Sequence, residues 1–272
     1  SPSITPTLPP FGHALSNRVL VNGQWTEQLI EDHIYISTVR GFDIEMIFVP
    51  AGCFVIGNDP DAMNGLNADR SRPIMGVPSG GVQCLDAFYI DTYEVTNEQY
   101  TTISEDQSAT GQWHDPNRPR EMNNWSEASD FCLVRGGRLP SEIEWEYTAR
   151  GPSALQYPWG NLFNVANVVS SHTQEQGTAP VGSIPSGRSC VGAYHMSGNV
   201  YEWTSSIAGT GYNSAMPVVG DPLAAEYIIR GGSYSNPQQF VQRSASRFNT
   251  APTSNAPILG FRCVRDAATA VN

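Results

Sequence analysis

The chain has 272 residues, enough to bury a substantial core as one large domain or two small ones. Its net charge of -11 argues against a nucleic-acid partner, because phosphate binding needs clustered cations. Hydrophobic residues make up 40%, as in ordinary soluble globular proteins, and no run of about 18 apolar residues suits a membrane-spanning helix. The opening residues hold no basic patch followed by an apolar run, so the expectation is that any secretion signal was removed or never present. All fifteen basic residues are arginine, a bias to which no function attaches.

In chain order, the first ten residues hold four prolines without periodicity and read as a linker or extended tail, taken to run over 1–17. The stretch 19–49 carries short alternating runs, with Asn22-Gly23 as a hairpin signal between two of them. Met46 to Gly57 reads as two short strands around a turn. Three helices are expected. Thr96 caps the first, ahead of Tyr100 and Ile103; Ser126 caps the second, over 126–134; Ser141 opens the third with a capping box to Glu144. Beyond Gly151 the chain is rich in Gly, Pro, Ser and Asn, so much ordered loop is expected. The expected class is α+β, a single domain over 18–272 with few helices and short antiparallel strands.

The five cysteines, Cys53, Cys84, Cys132, Cys190 and Cys263, have no zinc-type spacing. They suit either long-range disulfides in an oxidising compartment or buried thiols.

Seven segments, in order, carry a resemblance. They are Phe48-Val49-Pro50-Ala51-Gly52, Phe88-Tyr89-Ile90-Asp91-Thr92-Tyr93-Glu94-Val95-Thr96-Asn97, Gly137-Arg138-Leu139-Pro140-Ser141-Glu142-Ile143-Glu144-Trp145-Glu146-Tyr147, Tyr157-Pro158-Trp159-Gly160-Asn161, Ser197-Gly198-Asn199-Val200-Tyr201-Glu202-Trp203-Thr204, Arg230-Gly231-Gly232-Ser233-Tyr234 and Leu259-Gly260-Phe261-Arg262-Cys263. Each alone is weak; together they resemble the formylglycine-generating (sulfatase-modifying) family over about 45–266. The resemblance implies a decorated C-type-lectin-like fold. The glutamates at 142, 144 and 146 could suggest acid–base work, but their alternation around Trp145 reads as helix faces and buried salt bridges.

Family enzymes place a redox-active cysteine two residues after the tyrosine of Gly-Gly-Ser-Tyr and a second five residues later. The pair holds copper and oxidises a substrate cysteine. Those positions here are Asn236 and, in a loop about two residues shorter, Val241; no cysteine lies between Cys190 and Cys263. The family's reaction and its copper are therefore not expected. The five histidines lack the cluster of the iron-dependent relatives, and no nucleophile elbow, phosphate loop or His-Glu-x-x-His is present.

The resemblance further implies a disulfide between Cys132 and Cys263, with Cys53 and Cys84 a candidate second pair, and so an extracytoplasmic setting. It implies a structural calcium held by the carbonyls of His195, Gly198 and Val200 and the carboxylate of Glu202. A weaker second calcium site would use Asn167 and Val168, its carboxylate position being taken by Thr173. The segment 235–256 lies where the family binds substrate; Asn236, Gln238, Gln239, Phe240, Gln242, Arg243, Arg247 and Phe248 are its candidate contacts for a protein or small ligand. Three functions fit: a non-catalytic binding or assembly module tethered to a larger partner, a divergent metal-dependent oxidoreductase, or a variable display protein of a diversity-generating retroelement.

Overall fold

The structure, a computed structural model, describes residues 15–21, 24–30, 34–57, 79–105, 111–172, 177–209, 212, 226–237 and 239–267. Its organising strand is β4 (Phe42–Val49). Here Ile44 and Met46 enter one apolar cluster while Ile47 and Val49 enter another, the period-2 pattern of a strand buried on both faces. β4 lies between β3 (Ile34–Val39) and β7 (Phe88–Asp91), and β12 (Val264–Asp266) completes an antiparallel sheet of order β12-β7-β4-β3. A second sheet has the order β10-β9-β8-β11, from β8 (Tyr201–Ile207), β9 (Tyr227–Arg230), β10 (Arg247–Thr250) and β11 (Leu259–Gly260); only the β8–β11 pairing is parallel.

Two ribbons stand apart from these sheets: β1 (Leu15–Val21) with β2 (Gln24–Ile30), and β5 (Gly52–Gly57) with β6 (Ser79–Leu85). In the first, Val21 pairs with Gln24, the register a two-residue Asn-Gly turn dictates; Asn22 and Gly23 themselves lie outside the described residues. The first strand begins at Leu15, three residues inside the segment expected to be tail. Of that tail, residues 1–14 lie outside the described residues.

The helices are α1 (Asn97–Ser104), α2 (Trp125–Val134) and α3 (Glu142–Arg150). Thr96 and Ser141 cap α1 and α3 through capping boxes with Gln99 and Glu144. The cap of α2 is Asn124, two residues upstream of the expected Ser126: its side chain accepts from Glu127 N, and Glu127 reaches back to Asn124 N in a capping box. Helices α1 and α2 pack with β8, β9 and Phe261 in the first cluster; α3 packs with β4, β5 and β7 in the second.

Both disulfides form. Cys132–Cys263 joins α2 to the residue before β12, both sulfurs buried, and Cys53–Cys84 crosses the β5–β6 ribbon. Cys190 takes part in neither. Every residue of α3 is buried, four charged side chains included. Its carboxylates are matched one by one. Arg247 grips Glu142 at 2.6 and 2.9 Å, Arg138 grips Glu144 at 2.8 and 2.6 Å, and Glu146 is held by Arg150 at 2.7 Å and by Arg230. Unpaired, such carboxylates would be too costly to bury. These glutamates are structural, as the sequence suggested.

Candidate functional site

Two loops hold the positions that the resemblance assigns to calcium and to the redox cysteines. The first is 195–202, ahead of and into β8. His195 and Asn199 adopt positive φ (52° and 63°), as does Gly198 at 79°. A side chain at Gly198 would meet the Val169 carbonyl at 2.2 Å, so glycine is required there. The turn directs backbone carbonyls away from the ladders: among the described residues, no donor reaches the carbonyl of His195, Gly198 or Val200. Unclaimed buried carbonyls are the oxygen ligands a calcium ion takes.

The carboxylate of this group, Glu202, is fully buried and already well occupied. Arg262 donates to it twice, at 2.7 and 2.8 Å, and Trp145 Nε1 donates at 2.7 Å. Three of roughly four lone-pair positions are thus filled, leaving room for one further contact. Arg262 also donates to the carbonyls of Asp91 (3.0 Å) and Tyr194 (2.7 Å), so this guanidinium binds three separate segments together. A second buried acid, Glu94, lies in its field: Asn199 donates to Oε1 at 2.9 Å, while Oε2 has no partner among the described residues. Burial drives the Glu94 carboxyl up to about 8; Arg262 opposes the shift and Glu202 adds to it. Two buried carboxyls share one arginine, so the cluster is one positive charge short when both ionise. The carbonyl set, the spare position on Glu202 and this deficit all fit a cation. His195 stays neutral inside, its pKa lowered to about 3 by burial and by Arg262.

For the weaker site, Val168 is buried and Asn167 half-buried at the end of a short 3-10 turn. Thr173 lies outside the described residues, and no cluster of three His, Cys, Asp or Glu suited to a metal occurs among the described ones.

The second loop follows β9. At the first family cysteine position, Asn236 accepts from Ser233 N at 2.8 Å and Ser233 Oγ at 2.9 Å, closing a polar turn. At the second, Val241 is buried in the first cluster. Neither supplies a thiolate or a metal ligand of that kind.

The segment 235–256 is only partly a surface. Four of its expected contacts are committed to the fold. Gln242 is 1% exposed and donates to the Ser233 carbonyl at 3.1 Å. Arg243 is buried, Arg247 clamps Glu142, and Phe248 packs edge-on against Tyr201 at 5.5 Å. Gln239 and Phe240 do face solvent, with Ser235, Pro237, Asn249, Thr253 and Asn255. Gln238 lies outside the described residues. Sequence reasoning placed Arg262 and Glu94 only inside motifs; the signal for their roles was a lone charge flanked by apolar residues, Phe261 and Cys263 in one case and Val95 in the other.

Among the described residues, no helix is long and apolar enough to cross a membrane. The chain is 30% identical to the formylglycine-generating enzyme of Mus musculus, over 82% of this chain and 75% of that protein. Among solved structures, PvdO from Pseudomonas aeruginosa superposes with a TM-score of 0.68 at 24% identity, covering 86% of this chain and 97% of PvdO. Variable protein 1 of Treponema denticola superposes at 0.67 and 18% identity, covering 86% and 99%. These two likenesses establish the shared C-type-lectin-like fold. Residues 39–267, most of the chain, match the sulfatase-modifying factor enzyme 1-like domain, and the chain belongs to that family.

Proposed function

We propose that this chain is a non-catalytic binding module on the formylglycine-generating-enzyme scaffold, stabilised by calcium and by disulfides and working outside the cytoplasm. The observation that carries this reading is Asn236. The side chain at the catalytic cysteine position is spent on capping Ser233, and its companion position is a core valine. The exposed rim of 235–256, with Gln239 and Phe240 foremost, is the recognition surface. It combines an aromatic anchor with adaptable polar groups. Calcium sits on the carbonyls of His195, Gly198 and Val200 beside Glu202, where its charge answers the deficit around Glu94. The two disulfides support an oxidising compartment.

The test is to incubate copper-treated protein with a cysteine-containing peptide in air, and to measure bound metals on the same preparation. No aldehyde, no stoichiometric copper or iron, and about one calcium per chain are expected. Peptide conversion or a stoichiometric redox metal would overturn the reading in favour of a divergent oxidoreductase. A variable display role is a second reading, supported by the solvent-facing side chains gathered in 235–256. A near-copy of the corresponding coding segment beside a reverse transcriptase gene is its test.

A further inference from the structure

We propose that the Cys53–Cys84 bond is a thiol-exchange site, opened by attack of an external dithiol on Sγ of Cys84 while the domain stays folded. Exchange needs a thiolate to reach a sulfur along the S–S axis. The two disulfides differ sharply in that respect. Cys132 and Cys263 are 0% and 1% exposed, in the middle of the first cluster. Cys84 is exposed and Cys53 half-buried, directly opposite each other on the outlying β5–β6 ribbon. Beside Cys84 on the same strand, Val82 is 55% exposed, so β6 offers an open surface to an approaching protein.

The ribbon does not depend on the bond for its place. Phe54 and Ile56 of β5 are fully buried, and the Phe54 ring packs on Tyr147 at 5.1 Å. Gly52 lies so close to Tyr147 that a Cβ would stand 2.3 Å from the phenol oxygen. At the other end of β5, Gly57 N donates to Glu146 at 2.7 Å and its carbonyl accepts from Arg150 at 2.8 Å. β5 is therefore fixed to α3 at both ends, and β6 remains laddered to it through Phe54–Gln83 and Val55–Val82.

The chemistry balances as ordinary exchange. The thiolate of the dithiol bonds to Sγ of Cys84, the S–S bond breaks, and Cys53 leaves as a thiolate that takes a proton from water. The second thiol of the dithiol then attacks its own half of the mixed disulfide and releases Cys84. Two electrons and two protons pass to the protein, and the dithiol becomes a disulfide. The chain supplies no attacker of its own, since burial raises the Cys190 thiol to about 11.

The experiment uses the oxidised full chain and a Cys-x-x-Cys dithiol protein lacking its second cysteine, with alkylation and peptide mass analysis over time. A covalent adduct on Cys84 is expected, with near-ultraviolet circular dichroism unchanged. Opening of Cys53–Cys84 by reduced glutathione should exceed that of Cys132–Cys263 by at least about 100-fold, because the buried pair needs subglobal opening first. Equal rates, an adduct mainly on Cys53, or loss of the dichroism signal in step with opening would each overturn the proposal.

Discussion

Two fully buried glutamates, Glu146 on α3 and Glu94 ahead of α1, have opposite fates. Glu146 lies between Arg230 and Arg150 and accepts from Gly57 N, and despite its burial its carboxyl is held below the ordinary range. Glu94 has one side-chain donor, the Asn199 amide, and shares its nearest arginine with Glu202, so burial wins and the acid stays protonated up to about 8. The same residue type at the same depth is a fixed anion in one place and a neutral acid in the other. The number of cations within reach decides which.

The largest effect should come from breaking the first of these. Glu146→Gln leaves Arg230 and Arg150 short of a counter-charge in the core, at a cost of about 3–5 kcal/mol in urea unfolding. A loss under about 1 kcal/mol would mean that the two arginines find other partners. Next comes calcium itself. At 100 times its dissociation constant it should add about 2.7 kcal/mol to the wild type, seen as a higher Tm than in chelator. Glu94→Gln should gain distinctly less from the same calcium, because the missing positive charge is no longer needed; equal gains would separate the cation from Glu94.

A separate effect is on pH dependence without metal. Glu94 binds its proton in the folded state up to about 8, against 4.5 when free, so stability falls as pH rises from about 4.5 to 8. His195 is neutral in the fold down to about 3, against 6.5 when free, so stability falls as pH drops from about 6.5 to 3. Between about 4.5 and 6.5 the two slopes oppose and a plateau is expected. Glu94→Gln should be close to neutral near pH 4.5, gain on the wild type as pH rises through the plateau, and abolish the decline above it. Melting curves across pH 3–9 check this, and a decline that persists in the variant would assign it to another group.

The disulfides offer a further contrast. By the chain-entropy estimate, closing 131 residues through Cys132–Cys263 is worth about 5 kcal/mol, and closing 31 through Cys53–Cys84 about 4 kcal/mol. Paired Cys→Ala variants should rank in that order on unfolding.

Much of this was legible in the sequence, because the relevant signals are local. Thr96 and Ser141 announce their helices by cap and box, and Asn22-Gly23 sets a ribbon's register. The seven ordered segments give the fold. Burial of polar side chains was not legible. Gln242 and Arg243 look like surface residues in a polar run, yet the Gln242 amide reaches a backbone carbonyl nine residues away. Such bonds make a polar side chain compatible with the core and leave no mark on local pattern. The α2 cap was missed for a nearer reason: two candidates two residues apart, Asn124 and Ser126, compete, and only the position of Glu127 three residues beyond Asn124 decides between them.

The burial of α3 also has a kinetic side. Its three glutamates find their arginines far off along the chain for Glu142 and Glu146, 105 and 84 residues downstream at Arg247 and Arg230. A chain emerging from a ribosome must therefore make this helix long before the charges that permit its burial exist. The second cluster cannot close until β9 and β10 arrive, so folding should be late, highly non-local and slow for the domain's size. The period in which α3 waits is when the nascent chain is most exposed to misassembly.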